Sequence, residues 1–434
     1  MKMRMERTIK LALLAGVCAA VMAQAKVIGT NTPANPLTEA RIKKELPAAE
    51  QRDWLDYLAR SVKQQATDKA AFAAEMRAAG VKEPTMPTHG RSAKSIPLDK
   101  DAAWYGTAEA VKLADTIVSF QVPDGGWSKN LDMTQPARVK GEQWAVNDLN
   151  RYPSAGDFDE ARDVKWHYIA TLDNDATNTE MEYLRRVGAA VKGAAGERYR
   201  ASYQRGIEYL LAAQYPNGGW PQVWPLEGGY HDAITINDGA MLESLESLLE
   251  LARGDVPFAE KDLRMRAADA FVRGMGCLLK MQIVVNGKKT VWAQQHDEFT
   301  LAPVSARNYE MPALVSGESA EILEFLMEMP QPTAEVKAAV EGGVAWFEQA
   351  AIHDVTWGGP RTEGRRLTTT TGAGPIWARY YSLTTGKPIF GDRDKTIHDD
   401  VNEISVERRS GYSWYNADGV RVQKRYAEWE KAAQ

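Results

Sequence analysis

The chain has 434 residues and a formal net charge of −5, enough length for one large domain or two to three ordinary ones. Neither a basic excess nor a run of like charge is present, which excludes the usual signatures of nucleic-acid and anionic-membrane binding. Thirteen Trp and sixteen Tyr against nine Phe supply many rings with a polar handle, useful in sugar stacking as well as in cores.

Residues 1–25 read as a signal peptide. Lys2, Arg4, Arg7 and Lys10 make a basic start, residues 11–23 are apolar, and Ala23-Gln24-Ala25 fits the small-x-small cleavage rule. Cleavage after Ala25 implies a secreted or periplasmic protein. No later stretch is long and apolar enough for a membrane span. Cys18 leaves with the signal, so Cys277 stands alone and no intrachain disulfide is expected. The six His show no zinc-like spacing. Residues 26–50 are polar with several Pro, which predicts a loosely ordered leader. Residues 53–77 place Trp54, Leu55, Leu58 and Val62 on one helical face, and 79–100 form a Pro-containing crossing.

From residue 101 the pattern is regular. Helical spacing predicts helices over 108–121, 179–191, 199–214, 238–253, 267–282, 319–328, 334–350 and 374–383, with 288–292 the best strand candidate. The stretch Gln121-Val-Pro-Asp-Gly-Gly-Trp127 returns as Gln214-Tyr-Pro-Asn-Gly-Gly-Trp220, each time after a helix. Residues 281–287 followed by Trp292 make a degraded third copy, and Trp357-Gly358-Gly359 a weaker fourth. Gly permits the positive φ that stops a helix and reverses the chain. Repeated helix-closing turns predict stacked helical hairpins closing into a ring, an all-α (α/α) toroid with little β-structure. The domain plan is a signal (1–25), a leader with helices (26–100) and a catalytic toroid (101–434). The long loops 122–177, 215–237, 283–316 and 351–373 would gather at one end, where function concentrates.

Four loop constellations carry the chemistry. Thr171-Leu-Asp-Asn-Asp-Ala-Thr-Asn-Thr179, with Gly126-Trp-Ser-Lys-Asn130, holds more polar groups than helix capping requires. A hard-cation or polyhydroxyl site is the functional alternative to capping. Asp238 in Ile234-Thr-Ile-Asn-Asp238 also opens a helix. Asp173 and Asp238 at equivalent helix starts could form a glycosidase-like pair or a calcium site. Arg307 lies in a loop with Pro on both sides. Arg361–Arg366 and Trp377-Ala-Arg379 add further guanidinium groups, suited to planar recognition of carboxylates. An exported helical ring with loop arginines, two acids and many Trp points to an acidic polysaccharide.

The blocks SFQVPDGGWSKN, TLDNDATNTEMEYL, YPNGGWPQVWPL, ITINDGAM, APVSARNYEMPAL and GPIWARYYSLTTGKPIFGDRDKTIHDDVNEIS, in this order, resemble the family-10 pectate lyases. The resemblance runs from about Trp104 to the C-terminus. The second turn also resembles the QW repeat of terpenoid cyclases, but no DxDD run accompanies it. The pectate lyase resemblance implies cleavage of α-1,4-linked polygalacturonate by Ca²⁺-assisted β-elimination in a monomeric (α/α) toroid. By matching position it implies Arg307 as base and Asp173 and Asp238 for metal and substrate carboxylate. Lys129, Asn174, Thr177, Arg365 and Arg379 are the implied substrate contacts. Asp175 departs from the small residue usual there. His296, beside Asp297 and Glu298, is the conventional alternative base. Two rival functions remain at this point: a toroid glycoside hydrolase with an Asp/Glu pair, and a non-catalytic binder of acidic glycans.

Overall fold

The computed structural model describes residues 26–146 and 148–433; the signal segment 1–25, with Cys18, lies outside the described residues. Among the described residues the helices run α1 (Glu39–Glu45), α2 (Ala48–Ala79), α3 (Ser92–Ser95), α4 (Ala108–Ser119), α5 (Asn178–Ala190), α6 (Gly193–Ala213), α7 (Ala240–Arg253), α8 (Lys261–Met281), α9 (Gly317–Glu328), α10 (Ala334–Ala350), α11 (Val406–Gly411) and α12 (Asp418–Ala433). α5 packs on α6, α7 on α8, and α9 on both α10 and α12. α5, α7 and α9 are buried on most sides and form an inner layer. α6, α8 and α10 keep an exposed face and form the outer one. This is the expected (α/α) toroid architecture. None of the described helices is long and apolar enough to cross a membrane.

The repeated turn works through three atoms. Trp127 Nε1 donates to Ile117 O at 2.7 Å, Trp220 Nε1 to Leu210 O at 2.8 Å and Trp292 Nε1 to Leu278 O at 2.7 Å. In the first two, each indole gives a second donor to a carbonyl in the last turn of the preceding helix, which otherwise accepts only one long bond of 3.2 Å, from Phe120 N or Gln214 N. The glutamine side chain ties that helix end to the next outer helix. Gln121 Nε2 donates to Ser202 O at 2.9 Å, Gln214 to Ala270 O at 2.8 Å and Gln282 to Ala339 O at 2.8 Å. Gly125 and Gly218 have φ of +105° and +99°, and a Cβ on either would stand 2.3 Å from a carbonyl oxygen of the neighbouring outer helix. Conformation and close approach therefore both require Gly there.

Four expectations need correction. The fourth closing Trp is Trp377, whose Nε1 donates to Phe347 O at 2.9 Å in α10. Trp357 instead sits in a hairpin, Val355–Gly358 against Arg366–Thr369, inserted between α10 and its closing ring. The helix expected over 374–383 is absent: Trp377–Ala378 pairs with Tyr415–Asn416, and Tyr380–Tyr381 with Leu314–Val315. The strand expected over 288–292 shrinks to Lys288–Lys289, paired with Val284–Val285. Finally, the leader is not loose. Val27–Thr30 is a strand antiparallel to Thr396–His398, α1 follows, and α2 extends past both expected ends. α12, which packs on α9 and α10, was not among the expected helices.

Candidate active site

The inner helices α5, α7 and α9 begin beside one another. The 3₁₀ turn Asp173–Asp175 precedes α5, and the 3₁₀ turn Asn237–Gly239, which touches it, precedes α7 and also contacts α9. Helix N-termini favour anions, so three of them meeting make a place for a carboxylate-bearing ligand. The backbone here is unusual. Asn130, Tyr168, Ala170, Asn174, Asp175, Thr177 and Asp238 all have φ between 51° and 66°, a conformation costly for non-Gly residues and frequent at functional sites. Capping does not explain the two aspartates: α5 and α7 have Thr177 and Gly239 as N-caps, with no side-chain capping bond.

Asp173, Asp238 and Arg307 line one cavity of about 60 Å³, together with Lys129, Asn174, Gln222, Tyr230, Gln295 and Glu310. Through Lys129, Tyr168 and Arg307 it adjoins a second cavity of about 190 Å³, which Arg151 and Arg393 also line. Past Asp238 lies a third, of about 440 Å³, lined by Asp175, Glu243, Glu246, Glu321, Glu324 and Glu328. Asp148, Asp157 and Asp159 also line the second cavity, so the groove runs from an end of mixed charge to an acidic one.

Lys129 is buried, with Nζ 2.6 Å from Asp173, 3.1 Å from Asp148 and 3.3 Å from the Tyr168 ring centroid. Burial opposes its charge, but the two carboxylates outweigh it and raise its pKa. Burial likewise pushes Asp173 up, yet Lys129 brings its pKa below the usual value. Asp238 has no such partner. Burial, then the charge on Asp173, push it up to about 7, and its Oδ2 accepts from Asn237 Nδ2 at 2.6 Å.

Arg307 opens a tight turn: Glu310 N donates to Arg307 O at 2.8 Å, and the buried Glu310 carboxylate accepts from Arg307 N (3.0 Å), Nε (2.8 Å) and Nη2 (2.6 Å). The Arg307 side chain remains 37% exposed towards the groove. Burial acts against its charge, but Glu310 outweighs it and holds the pKa well above the ordinary guanidinium value. Tyr412 Oη steadies Glu310 at 2.7 Å.

The remaining expected residues divide. Asn174 lines the central cavity, with Nδ2 3.2 Å from Asn130 Oδ1. Arg379 stands behind it, paired with Glu318 at 2.5 Å and donating to Asn237 Oδ1 at 3.1 Å. Thr177 is fully buried away from the cavity lining; its hydroxyl accepts from Trp127 N at 2.9 Å and donates to Thr171 O at 2.8 Å. Arg365 lies beside the inserted hairpin and lines none of the three cavities. His296, the alternative base, is fully buried; its Nδ1 donates to Leu301 O at 2.8 Å and its Nε2 accepts from Ala293 N at 3.1 Å. Both ring nitrogens are thus used, and burial drives its pKa down to about 4. Glu310, Tyr168, Gln222 and Gln295 escaped the sequence reading. Glu310 alone had a local signal, three residues after Arg307 in the same quoted block.

The sequence profile of the pectic acid lyase family matches residues 121–423. The chain belongs to the pectic acid lyase family. Two solved structures from Cellvibrio cellulosa are similar. One is a mutant family 10 polysaccharide lyase in complex with trigalacturonic acid, 31% identical, covering 75% of this chain and 95% of that one, TM-score 0.62. The other is a family 10 polysaccharide lyase, 30% identical, covering 77% and 99%, TM-score 0.63. No curated protein sequence matches the chain. The pectic acid lyase family and these neighbours make the chain a polysaccharide lyase, and the hydrolase and pure-binder readings fall away.

Proposed function

We propose that this lyase cleaves α-1,4-linked polygalacturonate by β-elimination, with Arg307 as base and Asp173 and Asp238 holding Ca²⁺. The single observation carrying this reading is that the two carboxylates and the guanidinium line one cavity. The trigalacturonic acid bound by the Cellvibrio cellulosa mutant supports the substrate class.

The donor set suits a hard cation. Gln222 Oε1 and Gln295 Oε1, both buried at the cavity, have no hydrogen-bond partner among the described residues. With Asp173 and Asp238 they make an all-oxygen set of the kind Ca²⁺ takes. No cluster of three or more His, Cys, Asp or Glu able to hold a metal is found among the described residues, so water and substrate oxygens would complete the shell. When bound, the ion supplies positive charge that offsets the uronate carboxylate.

Elimination removes the C5 proton, converts the C5–H pair into the C4=C5 double bond, and expels O4 with the C4–O pair. Negative charge accumulates on the carboxylate as the proton leaves, so fixed cationic groups around it lower the barrier. Lys129 and Arg379 supply two, each held by a buried acid. Neutral Arg307 would accept the C5 proton. Glu310 keeps that neutral form scarce, so the rate should climb well into the alkaline range. The same pair favours a second reading, in which Arg307 stays charged and grips the carboxylate.

The assay is ultraviolet absorbance of the unsaturated product from polygalacturonate, with and without chelator. The proposal requires chelator-sensitive growth, loss of about 10² or more in kcat for Arg307→Ala, and a rising alkaline limb. A flat profile above neutrality, with Arg307→Lys fully active, selects the charged-anchor reading. Undiminished rates in chelator sink the Ca²⁺ assignment. We also propose export; mass analysis of the mature protein should place its N-terminus at Lys26.

A further inference from the structure

We infer that the N-terminal leader, outside the family match at 121–423, is part of the active-site framework, and that Asn31 is a positioning residue for the loop carrying Arg307. The strand Val27–Thr30 pairs with Thr396–His398, and Asn31 N continues the contact to Lys395 O at 2.7 Å. This delivers the Asn31 side chain, 4% exposed, beneath the Arg307 turn. Its Nδ2 donates to Arg307 O at 3.3 Å and Asn308 O at 3.1 Å. Its Oδ1 accepts from Ser305 Oγ at 2.7 Å and from Thr32 N at 3.0 Å. Both donors and both acceptor sites of the carboxamide are used, which fixes its orientation. Asp in its place would lack the two donors, and Ala would leave the turn's carbonyls short of partners.

The turn needs such a support. Between Val304 and Leu314 the chain has no helix or strand of its own. From the other side Asn308 accepts from Phe158 N at 3.0 Å and donates to Arg393 O at 2.9 Å. Tyr309 O lies so close to Gly391 that a Cβ there would stand 2.3 Å away. The leader closes the remaining face and is itself tied at a second point: Leu37 N donates to Asp232 Oδ2 at 2.9 Å, and Arg41 pairs with Asp297 at 2.8 Å and with Glu298 at 2.5 Å. A reacting group must be held to within about half an ångström, and a misplacement of about 1 Å can cost on the order of 10²-fold.

The inference rests on Arg307 acting at the reacting centre. The test uses the full chain with Asn31→Ala, Asn31→Asp and Ser305→Ala. Asn31→Ala and Asn31→Asp should both lose about 10- to 100-fold in kcat on polygalacturonate with KM changed less than about twofold. Amide hydrogen exchange over residues 305–310 should accelerate in both. Ser305→Ala, which removes only the acceptor-side bond, should give a smaller fall in kcat and keeps the test open if the Asn31 variants fold poorly. A kcat within about twofold of the parent, or a loss that vanishes when all are assayed at the same distance below their own Tm, overturns the inference. Unchanged exchange over 305–310 overturns it too, whatever Arg307 does. Full activity in Arg307→Ala would instead overturn the base assignment and leave the exchange result to judge the brace.

Discussion

In the proposed reaction, Arg307 and Glu310 form the pair on which the chemistry turns. Glu310 is 3% exposed, and its carboxylate accepts from the guanidinium at Nε and Nη2 and from the backbone N–H of Arg307. Replacing its charge should separate the two readings of Arg307. If Arg307 is the base, Glu310→Gln lowers its pKa and moves the alkaline rise of kcat at least about one unit towards neutrality. If Arg307 only anchors the carboxylate, Glu310→Gln loses activity at every pH without moving the curve. A second residue-scale prediction concerns stability. His296 stays neutral in the fold down to about pH 4, whereas the unfolded chain takes up a proton near its ordinary value of 6.5. Stability should therefore be intact above pH 6.5 and fall as the pH drops towards 4, by about 3 kcal/mol from this group. Denaturant titrations of the parent and of His296→Gln should show a shallower acid slope in the variant; an unchanged slope refutes the assignment. Thr177 shows how far a residue can be read without coordinates. Its place in a polar run suggests a substrate contact, but its hydroxyl closes the loop against Trp127 and Thr171. Whether a side chain faces ligand or backbone depends on one φ of 66°, which sequence does not encode legibly.

At the scale of elements the turn closers should behave as a unit. Gln214→Ala would strip buried carbonyls at Gly218 and Ala270 of a donor, costing about 1–3 kcal/mol. Gly218→Ala would add strain of about 1–3 kcal/mol and a 2.3 Å clash with Arg273 O. Both should lower Tm and leave kcat near the parent value below the transition, since neither touches the groove; a selective loss of kcat would contradict this. The first two copies were legible because Gln, Gly, Gly and Trp stand at one spacing. The fourth was not, because a hairpin is inserted between Phe347 and Trp377 and carries a decoy Trp-Gly-Gly of its own. The strands at 377–381 were hidden for a related reason. Their partners lie at 314–315 and 415–416, so their conformation follows from distant pairing rather than from local periodicity.

Across the whole molecule the net charge is −5, yet along one part of the groove Lys129, Arg151, Arg307 and Arg393 outnumber Asp148, Asp157 and Asp159. A polyanion would be drawn to this end and repelled by the overall charge, so attraction is local and screenable. KM for polygalacturonate should rise several-fold as ionic strength passes from about 0.01 to about 0.15 M, where the Debye length falls from about 30 to about 8 Å. The buried pairs at Lys129 and Arg379 are less screened, so kcat should change little; a kcat that falls with KM unmoved would place the salt effect at the chemistry instead. The sequence by itself determined the helical hairpins, the closing turns and the block order, because helix periodicity, glycine conformation and indole capping act within a few residues. It also named the two acids and the arginine that share a cavity. Only the tertiary structure decided that Glu310 holds Arg307, that His296 is locked away, and that the leader packs beneath the Arg307 turn. The leader's contacts join segments more than 270 residues apart through a few hydrogen bonds, and no local pattern of residue types records which distant partner a carboxamide will meet. Glu310 and His296 find their partners within three to five residues, but only the folded turn decides which nearby group each one faces.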